Sequence, residues 1–260
     1  MSLAALLEQV ARRMPNAPAV SGNGLNLSYA HLCNRMAAIA SALRNQYRLQ
    51  AGDRVLILME NQPRFFEILF GCWAAGLCAV PVNAKLHQKE VEFIAQNCGA
   101  RFAFVSLALA NVLSDCDLAD LPSHRIIIAD DAAKEYQRML NSSPLAAMQL
   151  EPAALAWLFY TSGTTGRPKG AMLSHRNLLF MCQAYYADID QIWPGDTQLH
   201  AAPLSHGAGM YSLPHILAGG HQIVLASFQP EEVIACINHQ SSVSMFAAPT
   251  MVNRLVKQFP

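Results

Sequence analysis

Short apolar segments alternate with amphipathic ones across residues 55–105, and few folds accept that order. Apolar strands are predicted at 55–59, 79–82 and 102–105, with helices at 64–75 and 88–98 between them. Gly99 follows the second helix, where a left-handed residue commonly ends a helix. Repeated strand-helix-strand units bring the strands side by side with helices on the sheet faces. We therefore predict an α/β fold with mainly parallel sheets.

The flanking regions continue this pattern. Leu3, Leu7 and Val10 share one face of an opening helix, and Ser28 is placed to cap a second helix that continues to about residue 43. Residues 106–149 give a weak signal apart from an apolar run at 125–128. Later segments are predicted as strands at 155–160, 171–173, 197–202, 222–226 and 244–248, with helices after Ser174, from 230 and over 250–259.

Charge and composition exclude several classes of protein. The 260 residues contain 18 basic and 18 acidic side chains, so a nucleic-acid-binding surface is not indicated. The most apolar stretch, 65–82, is interrupted by Glu67 and Pro81 and is interpreted as buried structure, not as a membrane span. Seven cysteines without a Cys-x-x-Cys pair indicate free thiols. With no signal peptide recognised, we expect a cytoplasmic protein.

Residues 161–170, with the sequence TSGTTGRPKG, concentrate groups that bind phosphate. They include four hydroxyl side chains, three glycines, Arg167 and Lys169. Glycine lets successive backbone N–H groups converge on an anion, and lysine adds a compact positive charge. The segment is predicted to bind the polyphosphate of a nucleotide.

Other nucleotide and catalytic motifs do not fit. Pro168 stands where the Walker loop requires glycine, and Lys169 is followed by Gly170. The loop joins two predicted strands and no catalytic aspartate motif accompanies it, so a kinase-like enzyme is disfavoured. A serine-hydrolase elbow is absent, and the histidines lack the spacing of a zinc site. His200, His215 and His221 are interpreted as structural or surface residues.

Residues 160–170, followed by Leu173-Ser174-His175, closely resemble the signature loop of the adenylate-forming superfamily, which includes AMP-forming acyl-CoA synthetases. Residues 61–83 and 246–255 resemble further segments of that family. The resemblance implies an amino-terminal domain with two α/β lobes of layered sheets plus a small β-barrel, the chain crossing between the lobes. Residues 1–260 are accordingly expected to form one incomplete AMP-binding domain.

The resemblance also implies the chemistry. Family members use ATP and Mg²⁺ to convert a carboxylic acid to an acyl adenylate, and coenzyme A then accepts the acyl group. Thr161 and Lys169 are implied as catalytic residues, and Thr161 also as the metal ligand. The implied nucleotide-binding residues are Thr161, Ser162, Gly163, Thr164, Thr165, Gly166 and Lys169.

Residues 203–210, PLSHGAGM, resemble the family loop beside the carboxylate pocket. The resemblance implies that the substrate contacts His206, Gly207, Gly209 and Met210. Judged alone, His206 would be a loop histidine bonded to backbone. Amino-acid-activating relatives carry an aspartate here, whereas residues 199–220 contain no acidic side chain. We therefore expect a fatty or aryl acid as substrate.

Some expected motifs are missing. The family's aromatic-Gly-x-Thr-Glu segment, its ribose-binding aspartate and the lysine of its mobile carboxyl-terminal domain do not occur in these residues. The sequence is interpreted as the amino-terminal portion of a synthetase, inactive alone and prone to self-association through uncovered apolar surface. The alternative is a non-catalytic remnant that retains the lobe as a binding module.

Overall fold

The computed structural model describes residues 2–118, 120–161 and 167–258. Within these ranges the chain forms eleven strands in two sheets. The strands are β1 (Pro18–Gly22), β2 (Leu25–Ser28), β3 (Arg54–Met59), β4 (Cys78–Asn83), β5 (Ala100–Val105), β6 (Ile126–Ile128), β7 (Leu155–Thr161), β8 (Lys169–Ser174), β9 (Thr197–His200), β10 (His221–Val224) and β11 (Val243–Met245).

The described residues also form ten α-helices, which cover the faces of the sheets. They are α1 (Leu3–Arg13), α2 (Tyr29–Ser41), α3 (Arg64–Ala74), α4 (Gln88–Cys98), α5 (Ala110–Ser114), α6 (Lys134–Leu140), α7 (His175–Asp188), α8 (Gly207–Ala218), α9 (Pro230–Asn238) and α10 (Pro249–Gln258). None of the helices in the described ranges is long and apolar enough to cross a membrane.

Sheet B, the six-stranded sheet, has the strand order β6-β5-β3-β4-β7-β8. Its pairs are parallel except for the antiparallel hairpin of β7 and β8. Central strand β3 is buried from Val55 onward because helices pack on both faces of the sheet. The continuous apolar run that predicted this strand is what two-sided burial requires.

Sheet A, the five-stranded sheet, has the order β11-β9-β10-β1-β2. Strands from both ends of the chain meet in it, since β1 pairs in parallel with β10. The chain thus begins in sheet A, builds sheet B and returns to sheet A. The predicted α/β class with mainly parallel sheets is confirmed.

The hairpin of β1 and β2 was not predicted, although a local signal for it exists. Asn23 and Gly24 connect the strands with φ angles of 47° and 76°. Two consecutive positive φ values are typical of the tight turn that matches strand twist, and Asn-Gly is the sequence that best adopts it.

A buried ionic network joins α2, α3 and the chain before α6. The Glu67 side chain is fully buried and accepts a 2.8 Å hydrogen bond from Nη2 of Arg35. Tyr136 also donates its hydroxyl to Glu67, and Arg35 reaches Asp131 at 2.7 Å. Burial of Glu67 is therefore compensated by two donors, which a lone buried carboxylate would lack.

Candidate functional site

The β7–β8 hairpin presents the glycine-rich segment. Thr161 ends β7 and Lys169 begins β8, and the two are paired in register. Both are exposed to solvent. Ser162, Gly163, Thr164, Thr165 and Gly166 lie outside the described residues. The structure therefore brings the hydroxyl of Thr161 and the ammonium-bearing Lys169 to the same end of one hairpin.

Helix α4 anchors the base of this hairpin. The Tyr160 hydroxyl donates to Oδ1 of Asn97 at 2.6 Å, and the tyrosine ring covers Gly170, where a Cβ atom would lie 2.9 Å from Cζ of Tyr160. Burial raises the pKa of Tyr160 to about 12, so its hydroxyl stays a donor at neutral pH. One turn earlier on the same helix, the centre of the Phe93 ring lies 5.9 Å from Cζ of Arg167.

The role of α4 was missed by the sequence analysis. Asn97 and Phe93 belong to an ordinary amphipathic helix, and no local pattern marks either side chain as a contact of the hairpin. The glycine at position 170 was noted as part of the phosphate-binding segment, whereas the structure shows that it also makes room for an aromatic ring.

His206 lies at the junction of the segment after β9 and helix α8. Its backbone N–H donates to the carbonyl of Pro203 at 3.1 Å, which closes a turn, and its Nδ1 lies 3.1 Å from Oγ of Ser205. The imidazole packs edge-on against Phe159 of β7 at 5.8 Å between ring centres. Partial burial lowers the pKa of His206, so the ring is predominantly neutral near pH 7.

Residues 203–210 do not form a loop throughout, which corrects the sequence analysis. Helix α8 begins at Gly207 despite two glycines and an internal Pro214. Gly209 is buried, and a Cβ atom there would lie 1.9 Å from the carbonyl oxygen of Leu204. Met210 packs against the large core cluster. Tight packing of an apolar helix against the chain before it thus outweighs the low helix propensity of glycine.

One cavity brings the two predicted motifs together. Its volume is about 160 Å³, and its walls include Thr161, Pro168 and His206. Asn83 at the carboxyl end of β4, Tyr160 of β7 and Glu90 of α4 also line it. Ligands in α/β proteins commonly bind outside the carboxyl ends of parallel strands. Of the four residues implied as substrate-binding, His206 lines this cavity, while Gly209 is enclosed by Leu204 and Trp157.

A second, larger cavity adjoins the first. It measures about 430 Å³, shares Asn83 with the smaller cavity and includes Ser205, the neighbour of His206. Two basic residues, Lys85 and Arg254, lie in its wall. Cζ of Arg254 is 5.0 Å above the Phe228 ring, which holds the guanidinium in place.

Two further histidines that were interpreted as structural or surface residues lie in the core. His200 and His215 are buried, and Nε2 of His200 lies 2.9 Å from Oε1 of Gln222. Burial lowers the pKa of His200 to about 4, which keeps it neutral. Across the described ranges, no three histidine, cysteine or acidic side chains cluster in a way that could bind a metal ion.

Comparison with known proteins matches this chain to an enzyme family. The model of the family described as AMP-binding enzyme matches residues 7–260. A feruloyl-CoA synthase from Amycolatopsis sp is 36% identical over 250 residues, which cover 93% of this chain and 47% of that protein. The chain spans about half the length of the curated relatives it matches.

Solved structures share the fold. The N-terminal domain of FACL13 from Mycobacterium tuberculosis superposes with a TM-score of 0.89 at 24% identity, covering 100% of this chain and 65% of that one. ATP-bound MatB from Rhodopseudomonas palustris gives a TM-score of 0.85 at 25% identity, covering 99% and 51%.

Proposed function

The chain belongs to the AMP-binding enzyme family, and we propose that it forms the amino-terminal part of an AMP-forming acyl-CoA synthetase. Family membership confirms the resemblance carried by residues 160–175. One observation carries the proposal: Thr161 and His206 line the same cavity. We propose further that sheets A and B are the centres of two lobes of one AMP-binding domain.

The proposed first reaction joins the carboxylic acid to ATP. A carboxylate oxygen attacks the α-phosphorus and forms a new P–O bond, while the bond from that phosphorus to the bridging oxygen breaks and pyrophosphate leaves. Negative charge grows on the departing pyrophosphate. Lys169 and the hydroxyl of Thr161 are proposed to stabilise this charge, together with Ser162, Gly163, Thr164, Thr165 and Gly166.

The donor groups of this hairpin fit Mg²⁺ in a particular way. Magnesium prefers oxygen ligands and is usually held by few protein groups together with substrate phosphates and water. The exposed hydroxyl of Thr161, next to the proposed polyphosphate site, can be one such ligand. Bound there, Mg²⁺ would neutralise phosphate charge and orient the leaving group.

The surroundings of His206 favour an acid with an uncharged tail. Phe159 packs against the imidazole, and burial keeps that ring neutral. No carboxylate occurs between residues 199 and 220 to pair with a substrate ammonium, and Glu90, the acidic residue that lines the cavity, already accepts a hydrogen bond from the backbone N–H of His87. The 36% sequence identity with a feruloyl-CoA synthase makes an aryl acid the first substrate to test.

The second cavity supports coenzyme A as the acyl acceptor. Lys85 and Arg254 could pair with phosphate groups of that ligand, since charge-assisted contacts to phosphate are typical of both side chains. The cavity adjoins the one that contains His206, as transfer of an acyl group to a thiol would require.

Replacing Lys169 in the full-length protein tests the proposal. We expect Lys169→Ala to slow carboxylate-dependent pyrophosphate exchange by roughly 10²- to 10³-fold, the usual loss for a transition-state donor. Its stability should change by under about 0.5 kcal/mol because the side chain is exposed. Lys134→Ala, at an exposed position on α6, is the matched control. Unchanged exchange in Lys169→Ala would remove this residue from the mechanism.

A panel of acids tests the substrate class. Ferulic acid, a medium-chain fatty acid and an amino acid should be compared in the same exchange assay. Selective exchange with the amino acid would contradict the assignment around His206. Absence of exchange with every acid would instead favour a non-catalytic binding module.

A further inference from the structure

Asn61 links the two sheets at residues 202–204, which lie between β9 and His206. The residue follows β3 of sheet B, and its side chain reaches the chain that leaves β9 of sheet A. Its Nδ2 donates to the carbonyl of Ala202 at 2.8 Å, and its Oδ1 accepts the N–H of Leu204 at 3.0 Å. One amide therefore makes two hydrogen bonds to a single short segment more than 140 positions away.

These two bonds imitate strand pairing. In a parallel pair of strands, the N–H of one residue donates to the carbonyl of the residue before its partner. The carbonyl of the same residue accepts from the N–H of the residue after that partner. The Asn61 amide makes this pair of contacts around Pro203, although β9 has already ended at His200. Ala202 and Leu204 are almost fully buried, so without Asn61 their backbone groups would lack a partner inside the protein.

The segment is held on its other side as well. The carbonyl oxygen of Leu204 lies against Gly209, close enough to exclude any Cβ atom there. Leu204 is thus fixed through its N–H by Asn61 and through its carbonyl by α8. His206 follows two residues later, after the turn closed by its own N–H and the carbonyl of Pro203.

We propose that Asn61 is a positioning residue for the acyl acid, because its amide holds residues 202–204 and thereby sets where His206 stands in the cavity wall. The proposal rests on the proposed function of that cavity as the carboxylate site. Asn61 acts through His206 and is not itself assigned contact with the acid. Loss of the amide should therefore weaken use of the acid and leave the ATP hairpin undisturbed.

Kinetics of the full-length protein separate these effects. We expect Asn61→Ala to raise the KM for the acid about tenfold, equivalent to about 1.4 kcal/mol, with the KM for ATP within about twofold. Asn61→Asp keeps the side-chain size and the acceptor for Leu204 but loses the donor to Ala202, so it should also raise the KM for the acid. Asn45→Ala is the matched control, because within the described residues the side chain of Asn45 makes its one hydrogen bond to Oγ of Ser41.

A second measurement does not depend on activity. Released from Asn61, His206 should become more exposed, and its pKa should move up toward its ordinary value in ¹³C-histidine NMR titrations. The signal is assigned by its loss in His206→Gln. Asn45→Ala should leave it unchanged.

The two readouts fail independently. If the unaltered protein shows no exchange with any acid, the proposed function is wrong, yet the titration still decides whether Asn61 holds His206. If exchange occurs but Asn61→Ala changes both KM values equally, or neither, and leaves the His206 pKa unmoved, the positioning role is excluded.

Discussion

The contact between Gly209 and Leu204 gives a sharp test of the packing beneath the candidate site. Gly209→Ala adds a methyl group 1.9 Å from the Leu204 carbonyl oxygen, 2.9 Å from its carbonyl carbon and 3.2 Å from Cη2 of Trp157. Two of these three atoms are backbone, and the Leu204 backbone is also bonded to Asn61. The clash cannot be relieved by rotation of a side chain.

The net effect combines two opposing terms. Overpacking in a well-packed core costs about 1–3 kcal/mol, and a backbone contact this short belongs at the upper end. Alanine favours a helix over glycine by about 1 kcal/mol, which offsets part of that cost. We expect a net loss of about 2 kcal/mol in the free energy of unfolding. For a chain of this size that corresponds to a fall of roughly 4–8 °C in Tm.

Gly207→Ala is the control within the same helix. Its added methyl group would meet the ring of Phe246 at 2.7 Å, and a ring can move where a backbone cannot. We expect its stability to stay within about 1 kcal/mol of the unaltered protein. Urea unfolding and thermal scans on both variants decide the matter. Equal stability of the two variants would refute the reasoning from backbone contact.

Three further predictions concern the core and the hairpin base. Glu67→Ala should lower the free energy of unfolding in urea by about 3 kcal/mol, since it leaves the guanidinium of Arg35 without its buried partner. An unchanged free energy would contradict a stabilising role for this network. Tyr160→Phe should cost about 1 kcal/mol by loss of the bond to Asn97, and an unchanged unfolding midpoint would show that bond to be dispensable. His175 and His200 have folded pKa values of about 4, so acidification from pH 6.5 toward 4 protonates the unfolded state first. Stability should therefore fall with decreasing pH by up to about 1.4 kcal/mol per unit for each histidine, and a flat pH profile would contradict their neutral burial.

The fold was predictable where hydrophobic periodicity was strong. Sheet B followed from its apolar strands and amphipathic helices, and its central strands match the predicted ranges closely. Helix α8 was missed because Gly207, Gly209 and Pro214 are poor helix formers, and only burial against Leu204 and Trp157 makes the helix favourable. Local propensity does not contain that tertiary term.

The candidate site divides in the same way. The strand-loop-strand pattern predicted that residues 161–170 join two strands, but not that the strands extend to Thr161 and Lys169 and pair there in an antiparallel hairpin. The meeting of Thr161 with His206 required the arrangement of both sheets. Asn61 begins the family-like range 61–83, yet nothing in the sequence indicated its contacts, and Asn97 gave no signal, because their partners lie far away in sequence and a single asparagine has no characteristic spacing.

The pairing of β1 with β10 has a consequence during protein synthesis. Val20 of β1 cannot pair until Gln222 has left the ribosome, about 200 residues later in the chain. At ordinary translation rates this delay is roughly 10–40 s. Sheet B, built from contiguous chain, can assemble in that interval, whereas the early hairpin is too small to be stable by itself. Its unpaired edge is therefore open to wrong partners until β10 arrives, and high contact order makes this closure the slow step. Nascent chains of this protein should depend on chaperones most strongly in the window between completion of β8 and emergence of β10.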